Sequence, residues 1–331
     1  MAASAGSIPS YVAPGWLPNR HLMTIYASVA RLPERLPIAR ERWELPDGDF
    51  LDVDRLAGPR PDAPLLLVLH GLEGSSRSGY VRGLLARARA RGLAGLALNF
   101  RGCSGEPNRL ARFYHSGDTG DLAHALERLT SEQPGRPIVL AGFSLGGNVV
   151  AKFLGERGED LPGELKAASV VSVPFDLLAC SRALDGPGLP AWIYRQRFLR
   201  KLRAKSLAKA RRFPGAFDLP RLRAARLLRD FDDAVTAPLH GFASAEDYYA
   251  RSSSGRLLDG VARPLQILAA EDDPFIPTEA LPLAAAKTNP RIQLEVSRAG
   301  GHVGFVDGPP WRPRRFAEER AAAWLAEKVA C

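Results

Sequence analysis

Between Pro64 and Phe175, short unbroken apolar runs alternate with stretches of helical periodicity, and this alternation restricts the fold more than any other feature. "PLLLVLH" leads through a Gly/Ser-rich loop into "SGYVRGLLARARARG". "LAGLALNF" is followed, after "RGCSGEPNR", by "GDTGDLAHALERLTSEQ". "PIVLAGF" meets "LGGNVVAKFLGER" across a single serine, and "KAASVVSVPF" closes the series. Strands that are apolar throughout are buried on both faces, and strands alternating with helices form βαβ units with a parallel sheet. The rhythm stops near Cys180 and returns with "PLQILAAEDDP", "TEALPLAAAK" (a helix), "RIQLEVSRAGGH" and "RRFAEERAAAWLAEKVA". The expectation is one α/β core, residues 61–180 and 251–331, interrupted at 181–250 by a helical insertion. Ligands of open α/β sheets bind beyond the carboxyl ends of the strands, so the insertion is expected to cap the site. Residues 1–60 read as an N-terminal extension and a leading hairpin, with "RWELPDGDFLDVDR" turning at Asp47-Gly48.

Composition bounds the class. The chain has 331 residues, 46% of them hydrophobic, enough for a sizeable core. Its apolar runs fall far short of the roughly 18 residues needed to span a bilayer. "MAASAGSIPSYVAPGW" lacks the basic and apolar regions of a secretory leader. Cys103, Cys180 and Cys331 show no metal-binding or redox spacing and read as reduced thiols of a cytoplasmic protein. The net charge of +9 is local: residues 195–229 hold 13 Lys and Arg against one acid, Asp218, leaving 32 bases and 35 acids elsewhere. Two readings stay open for that segment, a solvated cap surface or a basic face in peripheral contact with an anionic membrane. No nucleic-acid-binding fold accompanies it, so no nucleic-acid partner is expected.

Gly142-Phe143-Ser144-Leu145-Gly146 sits between an apolar strand and a helix. With 31 glycines in the chain, such a match arises by chance about 0.2 times, so the setting must carry the reading. A sharp strand-to-helix turn leaves no room for side chains at positions −2 and +2 and raises the serine hydroxyl above the sheet. A serine nucleophile needs a histidine base oriented by a carboxylate, and on a sheet of this kind the chain order is Ser, acid, His. Of His21, His70, His115, His124, His240 and His302, only His302 follows a late strand with acids, Asp272 and Asp273, after the strand before it. Spacing does not choose between the two acids. Leu145 N–H, after the nucleophile, and Leu72 N–H, in "LHGLEGSS", are the expected oxyanion donors. Gly71 would let the backbone approach a substrate. His70 beside it reads mainly as a structural loop residue that could also line the pocket, and His240 is a further pocket candidate. His115 reads as structural, and Cys103 has no base placed for it. Phosphate-loop, dinucleotide and zinc-protease motifs are absent, so no cofactor or metal is expected.

Taken together, "LPNRHLMTI", "ELPDGDFLDVD", "HGLEGSS", "NFRGCSGEPNR", "YHSGDTGDL", "GFSLGGN", "DFDDAVTAPLHGFASAEDYY", "DDPFIP" and "GGHVGF" resemble the YheT-like branch of the α/β-hydrolases, a group that includes the ABHD esterases and lipases. The resemblance implies the α/β-hydrolase fold, with a mostly parallel central sheet flanked by helices. It also implies a triad of Ser144, Asp273 and His302 and a short-chain carboxylesterase or acylglycerol lipase acting on a small ester. An acyltransferase, thioesterase or amidase on the same triad stays open, as does a non-catalytic binding protein of the same fold.

Overall fold

A computed structural model describes residues 10–30 and 34–330, so the start of the N-terminal extension (residues 1–9), residues 31–33 and Cys331 lie outside the described residues. The hairpin forms as expected: β1 (Ile38–Glu44) and β2 (Phe50–Leu56) pair antiparallel about the Asp47-Gly48 turn. Six strands follow: β3 (Leu65–Leu69), β4 (Ala94–Asn99), β5 (Ile138–Phe143), β6 (Leu165–Val171), β7 (Leu265–Ala270) and β8 (Ile292–Ser297). They assemble in the order β1-β2-β4-β3-β5-β6-β7-β8, parallel from β4 to β8, with β2 antiparallel to β4.

Helix α1 (Arg20–Val29) precedes the sheet, and α2 (Gly79–Ala90), α3 (Gly120–Glu132) and α4 (Leu145–Arg157) connect its first parallel strands. The segment between β6 and β7 carries α5 (Leu177–Asp185), α6 (Leu189–Arg212), α7 (Leu219–Ala224), α8 (Leu228–Phe231), α9 (Ala237–His240) and α10 (Ala245–Ser252). A π-helical turn, Asp232–Thr236, joins α8 to α9. Short α11 (Leu283–Thr288) and α12 (Phe316–Glu327) complete the chain. Side-chain caps start several of these helices. Asn19 accepts from His21 N–H (2.9 Å) and Leu22 N–H (3.1 Å), and Asp176, Asp218 and Ser244 do the same for α5, α7 and α10. The continuous helix expected over "TEALPLAAAK" breaks into a 3-10 turn, Thr278–Ala280, and α11, because Pro282 lacks the N–H a helix interior needs.

All five residues of β3 are buried, and they alternate between two cores. Leu65, Leu67 and Leu69 meet Leu126, Val149 and Val150 of α3 and α4. Leu66 and Val68 meet Leu84 and Leu85 of α2 and Ala321 and Leu325 of α12. Burying both faces explains why the strand is apolar at every position. The helices between β6 and β7 have a core of their own around Leu199, Leu222 and Phe231, above the carboxyl ends of the strands.

Candidate active site

Ser144 occupies the junction of β5 and α4 at φ 50° and ψ −120°, a conformation costing about 1–3 kcal/mol for a residue with a side chain. Close approach holds it there. A Cβ on Gly146 would lie 2.5 Å from His70 O, and one on Gly142 would lie 2.5 Å from Gly146 O. Only glycine fits at either position.

His302 reaches the serine from the loop after β8. Its Nε2 is 2.9 Å from Ser144 Oγ, and its Nδ1 is 2.9 Å and 3.1 Å from the two Asp273 carboxylate oxygens. Phe275 N–H also donates to Asp273 Oδ1 (2.8 Å), and the Asp273 side chain is 1% exposed. Asp272, the other acid left open by spacing, turns away and accepts from Gly301 N–H at 2.9 Å; burial raises its carboxyl above the ordinary value.

Three side chains from three elements hold consecutive N–H groups of the histidine loop. Asp272 after β7 takes Gly301, Thr24 of α1 takes His302 (2.9 Å), and Ser172 after β6 takes Val303 (3.0 Å). Phe275 lays its ring against the imidazole, with centroids 4.3 Å apart. Thr24 and Ser172 carry no sequence signal for this role, because each lies more than a hundred residues from the loop it pins.

Most N–H groups around the expected oxyanion donors are claimed. Among the described residues the N–H groups of Gly71, Glu73, Gly74 and Ser144 are taken, by Tyr80 OH (3.0 Å), Tyr114 OH (2.8 Å), Gly71 O (3.0 Å) and Val171 O (2.9 Å). Those of Leu72 and Leu145 have no partner among the described residues, and both residues line the cavity that holds Ser144 and His302. His70 lies beneath the loop rather than in that cavity. Its Nε2 accepts from Phe100 N–H (3.2 Å), so Nδ1 carries the proton and donates to Gly71 O (2.8 Å). Burial pulls its pKa down to about 4, which keeps the ring neutral.

The cavity, about 150 Å³ open to the centre of a water, runs from Ser144 under the helices between β6 and β7. Leu184, Phe198, Leu228 and Leu239 make its walls largely apolar. His240 lines it and packs against His115 with centroids 4.5 Å apart; burial first, then neighbouring cations, pull both down to about 3. A separate groove lies beside Ser144 between α1 and α6; Gly71 lines this groove and not the cavity.

The basic segment is not uniformly solvated. Lys205 Nζ turns inward to Glu73 Oε1 (2.9 Å), and Lys209 Nζ caps Leu110 O (2.6 Å) and neighbouring carbonyls, its pKa lowered to about 8 by burial. Glu73 follows Leu72, so Lys205 and Tyr114 clamp the loop that presents the Leu72 N–H. The partners are 132 residues apart, out of reach of sequence spacing. Cys103 lies 3.4 Å from Lys205 Nζ, yet burial pushes its thiol up to about 11; it and Cys180 are free and buried. Among the described residues no group of three or more His, Cys, Asp or Glu side chains could hold a metal, and no helix is long and apolar enough to cross a membrane.

A Ser–His–Asp relay at the carboxyl edge of a parallel sheet, beneath inserted helices, is the arrangement of an α/β-hydrolase. A family profile for the alpha/beta hydrolase fold matches residues 64–309, and the chain belongs to that family. It is 40% identical over 311 residues to YheT of Escherichia coli strain K12, a candidate esterase, covering 93% of this chain and 90% of the other. It is 34% identical to the phospholipase ABHD3 of Mus musculus over 74% of this chain and 59% of that one. The solved structure of the Pyrococcus furiosus esterase Pf2001 shares the fold at 16% identity and a TM-score of 0.57, over 97% of this chain and 96% of that chain. By family the protein is a hydrolase of the esterase and lipase type.

Proposed function

We propose that the chain cleaves carboxylic esters of small molecules through an acyl-enzyme on Ser144, with His302 as base and acid and Asp273 as its orienting carboxylate. The observation that carries this reading is the unbroken relay from Ser144 Oγ through both ring nitrogens of His302 to Asp273, each link 2.9 Å. Asp273 accepts from Nδ1–H, which leaves Nε2 free to take the serine proton as Oγ attacks the ester carbonyl. The carbonyl oxygen, as it becomes an oxyanion, is received by the unclaimed N–H groups of Leu72 and Leu145. The imidazolium then protonates the leaving alcohol, and a water activated by His302 hydrolyses the acyl-enzyme. The helices between β6 and β7, residues 181–250 at their centre, act in this reading as the cap that shapes the acyl site.

Fluorophosphonate labelling and a p-nitrophenyl ester chain-length series, on the wild type and Ser144→Ala, test the proposal. Labelling and turnover that both vanish in the variant support it. Turnover indifferent to Ser144 refutes it, and acyl transfer to an added alcohol or thiol in preference to water assigns the same triad to a transferase.

Peripheral contact with an anionic membrane has support of its own. Leu189, Trp192 and Ile193 are exposed at the start of α6, next to the outward cations Arg197, Arg200 and Lys201, and Leu22, Ile25 and Val29 are exposed on α1. Apolar side chains ringed by cations suit an anionic interface. Sedimentation with anionic vesicles should be weakened by salt and by Trp192→Ser; binding unaffected by both removes this contact.

A further inference from the structure

Ser144 and His302 line two spaces at once, the apolar cavity under the inserted helices and the groove between α1 and α6. An ester also has two halves, and both must lie within reach of the same two side chains. The cavity, the less polar of the two, suits the acyl half, since burying hydrocarbon there removes it from water. The groove, about 260 Å³ open to the centre of a water, differs in chemistry. Thr24, Ser28 and Ser78 line it, and so do two cations of α6, Arg197 and Lys201.

Those cations are one helical turn apart and both exposed. Neither forms an ion pair or a side-chain hydrogen bond among the described residues, in contrast with Lys205 and Lys209 one and two turns further on. Like charges four residues apart repel each other, and an anion between them relieves that repulsion. The carboxylate that also lines the groove, Glu73, is neutralised by Lys205 and does not compete for them.

We infer that this groove is the alcohol subsite and that Arg197 and Lys201 select esters whose alcohol carries an anionic group, a phosphate or a carboxylate. The inference rests on the ester-hydrolase reading. In the step it describes, Ser144 Oγ bonds to the acyl carbon and the bond from that carbon to the alcohol oxygen breaks. The serine proton passes through His302 to that oxygen. The anionic alcohol then leaves through the groove, by which water enters. Arg197 and Lys201 are specificity residues here, and they touch no reacting atom.

The test compares three butyryl esters with one acyl chain: those of glycerol, glycerol 3-phosphate and glyceric acid. The wild type should turn over an anionic ester with a kcat/KM about tenfold above the neutral one, through two exposed ion pairs, and the advantage should shrink in 0.5 M NaCl. In Arg197→Gln/Lys201→Gln the anionic-to-neutral ratio should fall to about one through KM, whereas Arg211→Gln, outside the groove, should keep it. Preference for the phosphate ester alone assigns a phosphate, and equal preference for both anions assigns charge as such. Ser144-dependent turnover of the glycerol ester with no anionic advantage, or an advantage that survives the double variant, overturns the inference and leaves the hydrolase reading standing. Absence of Ser144-dependent turnover of all three esters overturns both. Calorimetric titration of Ser144→Ala with butyryl glycerol 3-phosphate gives a readout free of turnover: binding should weaken about tenfold when Arg197→Gln and Lys201→Gln are added.

Discussion

Replacing Asp273 by Asn should nearly abolish activity, whereas the same change at Asp272 should not. Asp273 Oδ1 accepts from Phe275 N–H at 2.8 Å, and Oδ2 lies 2.9 Å from His302 Nδ1. An asparagine has one acceptor oxygen for these two donors. If that oxygen meets Phe275 N–H, the amide NH2 faces Nδ1 and selects the tautomer with its proton on Nε2, which cannot take the serine proton. If it meets Nδ1–H instead, the NH2 opposes Phe275 N–H in a site where the side chain is 1% exposed and no water can mediate. A wrong tautomer held in intact geometry costs about 10⁴ in kcat, or about 5 kcal/mol of transition-state stabilisation. Asp272 meets backbone N–H groups, Gly301 at 2.9 Å and Gly300 beside it, and not the imidazole; an Asn oxygen still accepts from Gly301, so a loss of less than about tenfold is expected there. Single-turnover hydrolysis of p-nitrophenyl butyrate, with thermal unfolding as the control for folding, checks both variants. Equal losses in the two, or Asp273→Asn within tenfold of wild type, would refute the orienting role of Asp273.

Other perturbations probe the surroundings. Lys205→Met strands a Glu73 carboxylate that is 3% exposed; urea unfolding should show a loss of about 2 kcal/mol, recovered when Glu73→Gln is added, and no recovery would mean that the pair does not clamp the loop. Burial raises Asp232 to about 6, so between pH 4 and 6 the folded chain binds more protons than the unfolded one and this group's contribution to stability falls as pH rises. Asp232→Asn should therefore stabilise the protein by about 2 kcal/mol at pH 7.5 and give no gain at pH 4, as read by chemical unfolding at both values. His70, at about 4, and His115 and His240, at about 3, lie below their ordinary 6.5. The unfolded chain then takes up protons first as pH drops below 6.5, so these rings stabilise the fold at neutral pH and lose that contribution on acidification; a Tm that falls less from pH 7 to 5 in a variant with all three replaced by Gln than in the wild type is the expected result.

Much of the core was legible because its signals are local. A strand buried on both faces must be apolar at every position, as β3 is, and a hairpin about Asp47-Gly48 needs only its own turn. Ser144 was legible for the same reason, since the glycines that make room for the turn lie two residues to either side. The helix broken at Pro282 was misread because one proline outweighs the helical periodicity around it.

Chain order and the apolar rhythm alone determined the parallel sheet, the turn that raises Ser144 and the place of His302 after the last long strand. Tertiary structure decided what depends on atoms from distant segments meeting. It turned Asp273 toward His302 and Asp272 toward the backbone, though the two acids are adjacent in the chain. It brought Thr24 and Ser172 to the histidine loop, turned Lys205 and Lys209 inward and left Arg197 and Lys201 facing a groove. Periodicity registers which residues leave water, because burial follows from each residue's own apolar surface. It does not register which polar atom meets which, because that match is made between segments joined only when the sheet closes and the helices after β6 fold over it.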